Sequence, residues 1–178
     1  MFVPIVVGLL LVLVVLGFII SRQPDEFRVT RSTVVYAQPE APFALVNDLH
    51  RWNDWSPWAK LDPNAKNEFE GPVAGTGAAF KWSGNNKVGE GKMTITESQA
   101  PNLVRMRLEF LKPFKATNET EFTFRPETSG TLVSWSMSGK NNFMSKAMNL
   151  VMNCDKMVGG QFEKGLADMK ALAEKTPA

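Results

Sequence analysis

Val104-Arg105-Met106-Arg107-Leu108-Glu109-Phe110 places an apolar side chain at every second position and a charge at each position between. In an extended chain, successive side chains point to opposite faces. Val104, Met106, Leu108 and Phe110 therefore share one face of a strand, and Arg105, Arg107 and Glu109 the other. Such a strand needs an apolar layer on one side and water on the other, which is the pattern of an antiparallel sheet. The alternation recurs toward the C-terminus. Phe122 and Phe124 oppose Glu119, Glu121 and Thr123, and Val133, Trp135 and Met137 oppose Ser134, Ser136 and Ser138. It recurs toward the N-terminus as well, where Met93 and Ile95 oppose Lys92, Thr94 and Thr96, and Ala78, Phe80 and Trp82 share a face. Gly84-Asn85-Asn86, Pro101-Asn102, Lys112-Pro113 and Ser129-Gly130 break the chain between these runs, as consecutive hairpins require.

Further out the period changes. Met144, Met148, Val151, Val158, Phe162, Leu166, Met169 and Leu172 fall at helical spacing. They predict one long helix over about 143–174, with Asn142 as its cap. Gly159-Gly160 lies inside it. Each glycine costs a helix about 1 kcal/mol relative to alanine, so a kink or a close backbone approach is expected there. On the N-terminal side, Phe27–Tyr36 is rich in Val and Thr and reads as a strand. Pro39 and Pro42 open a short helix over 41–49, followed by an irregular aromatic stretch over 50–58 and a turn at Asp62-Pro63-Asn64. The expected class is α+β: a curved antiparallel sheet wrapped around a long C-terminal helix. Strong curvature would leave a gap between sheet and helix.

Residues 2–20 carry no charge. Nineteen residues at about 1.5 Å each nearly span a hydrocarbon core of about 30 Å. No basic n-region precedes the run and no small-x-small site follows it, so an uncleaved anchor is expected rather than a signal peptide. The organisation is then an anchor over 1–22, a linker over 23–26 and one domain over 27–175. Arg22, Arg28 and Arg31 follow the anchor; the positive-inside rule makes this a single-pass cell-membrane protein with a cytoplasmic domain.

The 178 residues are 44% hydrophobic with a net charge of +2. That balance excludes a disordered chain and the basic footprint of a nucleic-acid binder. One Cys and one His exclude a disulfide framework and a cysteine-rich or multi-histidine metal site. No metal and no cofactor is expected. Gly75-Thr76-Gly77 lacks the further glycine and helix of a dinucleotide loop and reads as a hairpin turn.

The order of elements resembles the helix-grip fold of the START-like (SRPBCC) superfamily, and the local sequence resembles its polyketide cyclase/dehydrase and lipid-transport branch. The residues that carry the likeness begin with Ala37-Gln38-Pro39-Glu40-Ala41-Pro42-Phe43 and Val46-Asn47-Asp48-Leu49. They continue through Trp52-Asn53-Asp54-Trp55-Ser56-Pro57-Trp58, Gly75-Thr76-Gly77, Gly91-Lys92-Met93-Thr94-Ile95 and the final helix. The resemblance implies a cavity between sheet and helix that takes a hydrophobic ligand. It implies no fixed catalytic set, because this superfold hosts many functions.

The inward faces supply Phe80, Trp82, Met93, Met106, Phe110, Phe122, Phe124, Trp135 and Met137, and the facing helix supplies Met144, Met148 and Met152. Aromatic walls with flexible methionines suit an apolar ligand; a packed core would use the same residues. Trp52, Trp55 and Trp58 fit three roles: packing short helices on the sheet, gating a ligand, or contacting a membrane. His50, with Asp48 and Asp54 near it, is the candidate acid–base group. Asn118 and Thr120 are the polar residues with inward parity. Arg105 and Arg107 are expected to pair across strands with Glu119 and Glu121. Together these features predict a membrane-anchored protein, held through residues 2–20, that binds a hydrophobic small molecule such as a lipid or isoprenoid. A cyclase or dehydratase on a polyketide-like or aromatic substrate is the first alternative, and a co-chaperone-like interaction module the second.

Overall fold

The computed structural model describes residues 2–151 and 153–175. Helix α1 (Phe2–Ser21) leads into β1 (Glu26–Val35), α2 (Glu40–Asn47), a 3₁₀ turn over Leu49–Arg51 and α3 (Trp52–Trp55). Then come β2 (Lys66–Glu70), β3 (Ala79–Ser83), β4 (Glu90–Gln99), β5 (Leu103–Lys112), β6 (Ala116–Glu127) and β7 (Gly130–Lys140). Helices α4 (Phe143–Val151) and α5 (Cys154–Ala173) close the described chain. Among the described residues seven strands form one sheet in the order β1-β7-β6-β5-β4-β3-β2. Every neighbouring pair is antiparallel. This is the α+β class the alternation predicts, in the helix-grip arrangement the resemblance implies.

The alternation sorts the strands as expected. Val104 and Met106 of β5 are buried, whereas Arg105 lies on the outer face between Glu97, at 2.6 Å, and Glu121, at 2.7 Å. Helix α5 lies along β1 and is tied to it at several points. Arg31 donates to Asp155 at 3.0 Å and to Glu163 at 2.8 Å, and Lys170 donates to the carbonyl of Val34 at 2.8 Å. Helix α2 packs against β5, β6 and α5 and fills one end of the concave face.

Register decides which loops meet. Glu26 pairs with Lys140, Phe110 with Ala116, Glu90 with both Lys112 and Ser83, and Ser83 with Lys66. The end of α1, the β3–β4 turn, the β5–β6 turn and the start of α4 therefore share one end of the sheet. Helix α1 is long and apolar enough to cross a membrane, and only 6% of its Pro4–Ser21 window is buried.

The structure departs from the sequence reading in two places. Strand β2 was not expected. Lys66-Asn67-Glu68-Phe69-Glu70 has a single apolar residue and is exposed throughout at the sheet edge, so it carries no alternation to read. The C-terminal helix is two helices. The break falls before Cys154, where the Asn153 side chain accepts from the Lys156 amide at 2.9 Å and caps α5. The glycine pair sits within α5 instead. Gly159 is there for proximity: a Cβ on it would lie 2.1 Å from the Arg31 guanidinium.

The Arg31 pairing sets an acid dependence. Hydrogen bonding from Arg31 holds the Asp155 carboxyl below its ordinary value. A carboxylate whose folded pKa is depressed contributes stability above its unfolded pKa and loses it as pH falls through the folded value. Arg31→Met should be less stable than the parent at pH 7, and the gap should close below about pH 4. Thermal unfolding of both proteins at pH 7 and pH 3 checks this.

Candidate ligand cavity

Tryptophan 135 organises the concave face. Its ring stacks on Phe162 of α5 at 4.0 Å between centroids and 8° between planes. It also meets Phe122 at 4.8 Å, Trp55 at 5.5 Å, Trp58 at 5.7 Å and Trp52 at 6.0 Å. Each such pair adds about 0.5–1.5 kcal/mol beyond simple burial. These bulky rings hold α5 and α3 off the sheet. Toward β3 and β4 the space between the layers stays open.

That space is a cavity of about 510 Å³, within the usual size of small-molecule sites. The sheet contributes Phe80, Trp82, Met93, Leu108, Phe110, Thr120, Trp135 and Met137. Segment 52–59 contributes Trp52, Asn53, Ser56, Trp58 and Ala59, and α5 contributes Val158 and Phe162. Gly91 makes room for one wall, since a Cβ there would lie 2.3 Å from the Trp82 ring. The ionisable lining residues are Asp62, Lys87 and Lys112. They sit in the loop before β2, in the β3–β4 turn and at the end of β5. They mark a mouth at the sheet end that α1 adjoins. Hydrogen bonding from Lys112 there holds the Glu90 carboxyl below the ordinary glutamate range.

Three polar side-chain atoms are buried in the wall without a partner: Ser56 Oγ, Thr120 Oγ1 and Trp135 Nε1. All three residues line the cavity. An unpaired buried hydroxyl or indole N–H costs about 1–3 kcal/mol. By contrast, Trp55 donates its indole N–H to the Leu45 carbonyl at 3.0 Å.

The expected site residues divide into three groups. Trp52, Trp58, Phe80, Trp82, Met93, Phe110, Trp135 and Met137 line the cavity. Trp55, Met106, Phe122 and Phe124 point inward but are buried in packing rather than on its wall. Phe124, for example, sits edge-on to Phe43 of α2 at 5.6 Å. Burial of Trp52 and Trp55 removes the membrane-contact reading for those two rings. Met144 and Met148 do not face the sheet. They lie on α4 and are 57% and 38% exposed, because the helix breaks before α5 begins. Met152 lies outside the described residues.

The acid–base candidate is also displaced. His50 stacks on Phe69 at 4.0 Å, with its Nδ1 3.1 Å from Asp48 Oδ1, away from the cavity lining. Asn118 reaches the Met137 sulfur at 3.8 Å. Sequence reasoning missed Ser56, Leu108, Val158 and Phe162 as lining. Val158 and Phe162 were legible as one i, i+4 stripe of α5. Ser56 lies in an irregular segment and offers no periodicity.

The sequence model of the family described as polyketide cyclase/dehydrase and lipid transport matches residues 26–174. No curated protein is a significant match by sequence. Among solved structures, protein CV1439 from Chromobacterium violaceum is similar at 16% identity and a TM-score of 0.60, covering 86% of this chain and 100% of that one. The di-domain ARO/CYC BexL from the BE-7585A biosynthetic pathway is similar at 14% identity and a TM-score of 0.61; the match covers 89% of this chain and 53% of that one. The Aha1 dimer from Colwellia psychrerythraea aligns at 16% identity and a TM-score of 0.56, over 84% of this chain and 99% of that one. At these identities the likeness is one of fold.

The unpaired hydroxyl of Thr120 yields a prediction with an unusual sign. Thr120→Val removes a buried polar group that has no partner, so the ligand-stripped protein should be unchanged or stabilised by up to about 1 kcal/mol. A loss of more than about 1 kcal/mol in thermal or chemical unfolding would show that the hydroxyl is bonded after all.

Proposed function

The chain belongs to the polyketide cyclase/dehydrase and lipid transport family, and we propose that it is a membrane-anchored binding protein for a hydrophobic small molecule such as a lipid or isoprenoid. The observation that carries this reading is the aromatic cavity of about 510 Å³ whose charged residues are confined to a mouth at the same end of the sheet as the C-terminus of α1. The apolar α1 is the anchor. Arg22, Arg28 and Arg31 after it support a domain on the cytoplasmic face of the cell membrane.

Function follows from enclosure. A ligand that buries about 300 Å² of apolar surface gains roughly 7 kcal/mol before the costs of association, at about 25 cal/mol per Å². A mouth held close to the bilayer lets such a ligand enter without crossing bulk water. Transfer is favoured over cyclisation by the wall's chemistry. Its ionisable members lie at the mouth, and His50 points elsewhere. An open cavity is also more use to a carrier than to an interaction module.

Native mass spectrometry of the full chain, released from membranes in lipid nanodiscs, tests the reading. A stoichiometric apolar mass that is lost on unfolding is expected. Leu108→Trp fills the cavity from the β5 wall and should lower binding of an apolar fluorescent probe at least tenfold while leaving unfolding cooperative. An empty parent that binds the probe no better than Leu108→Trp would sink the proposal.

A further inference from the structure

Helix α4 is inside out. At 100° per residue, Leu150, Phe143, Ala147, Met144 and Met148 follow one another around an arc of about 160°. Four of these five are strongly exposed: Phe143 60%, Met144 57%, Leu150 40% and Met148 38%. The polar residues occupy the opposite side and turn toward the protein. Lys146 is buried there and pairs with Asp25, while Ser145 and Asn149 are half-buried. A surface helix in water has the reverse arrangement.

The position of this helix is fixed by its neighbours. Asn141, just before α4, donates its amide to the Asp25 carbonyl at 2.7 Å and its side-chain N–H to the Pro24 carbonyl at 3.1 Å. With the Lys146–Asp25 pair, these bonds clamp α4 to the segment directly after α1, and the two helices are in contact. Asp25 is four residues beyond Ser21, the last residue of α1. Four residues reach at most about 14 Å, and a helix is about 10 Å thick. An anchored α1 thus holds α4 within reach of the lipid headgroups.

The rest of this end of the sheet is of the same kind. The last residues of β5 expose Leu111, the β5–β6 turn exposes Phe114, and the first turn of α5 exposes Met157. Lys87, Lys115 and Lys140 lie in the turns and strand end beside them. Among the described residues these three lysines form no ion pair. Exposed apolar side chains ringed by free lysines match an anionic bilayer surface.

The geometry points to α4 together with the β5–β6 turn as a second membrane-contact surface, one that seats the cavity mouth on the bilayer. This rests on the reading of α1 as an anchor. The occupant is the headgroup and upper acyl region of the same membrane. Two alternative occupants are a second copy of the chain and a protein partner. The surface turns a tether, which leaves the domain free to swing, into a fixed orientation with the mouth against lipid.

Spin-label accessibility in the full chain tests it. The protein, in a Cys154→Ser background, is placed in vesicles of phosphatidylcholine with one-third phosphatidylglycerol. Nitroxides are attached singly at Met148→Cys, Phe114→Cys, Val12→Cys and Thr128→Cys. Thr128 lies in the β6–β7 turn at the opposite end of the sheet. Labels at 148 and 114 should collide with oxygen several-fold more often, relative to an aqueous nickel complex, than the label at 128. If they match the label at 128 while the label at 12 reports the bilayer interior, the docking surface is wrong and the anchor stands. If the label at 12 is also aqueous, the anchor reading fails first. Spin–spin broadening at 148 would assign the face to a second copy and overturn the lipid assignment. The Met144→Asp, Met148→Asp double variant changes only exposed side chains. It should stay in the membrane through α1, yet extract an apolar probe from vesicles at least tenfold more slowly. An unchanged rate counts against a role in seating the mouth.

Discussion

The stacked contact between Trp135 and Phe162 sets the distance between the sheet and α5, and the rest of the interior follows from that distance. Four further rings gather on Trp135, two of them delivered by the four-residue helix α3. Each ring meets the next edge-on or flat, and Gly165 of α5 leaves room for the Trp135 ring, since a Cβ there would lie 2.8 Å from it. Helix α2 fills one end of the trough, leaving the other end open. The cavity is the part of the interior that this spacing leaves unfilled, and its mouth falls at the end of the sheet from which α1 departs.

Charge is kept out of that interior and spent on the surface. Arg105 bridges Glu97 and Glu121 on the strands either side of β5, and Glu70 takes up Lys81 and Lys92 across β2, β3 and β4. Pairing of this kind adds little to stability in water. It does give the outer face a fixed polarity, so that the strand register has one favourable reading. What the wall retains is a few neutral polar residues, Asn53, Ser56 and Thr120 among them.

Much of this was legible in the chain. The five long strands of the sheet alternate because one face is dry and the other wet, and that contrast shows directly in Val104–Phe110 and Val133–Met137. Strand β2 was invisible because both of its faces are wet. The break before Cys154 was invisible because the apolar spacing runs on through it. Continuity of spacing says that residues are apolar at helical intervals, but not which surface they address. Met144 and Met148 keep the period of α5 and yet belong to a helix turned the other way. The cavity lining was half legible for a related reason. Parity tells which residues point inward, whereas packing or lining depends on whether α2 or open space lies opposite.

The junction between α1 and β1 has a mechanical meaning. β1 is an edge strand whose ten residues, Glu26 to Val35, pair only with β7. Its hydrogen bonds lie across the strand direction. Tension arriving from α1 along β1 would load those bonds in shear, all together, rather than peel them open one by one. The clamp of Asp25 onto Lys146 and Asn141 stands ahead of that ladder and takes up the first displacement. The domain is thus hung from α1 by a connection in the sheet suited to bear a sustained pull.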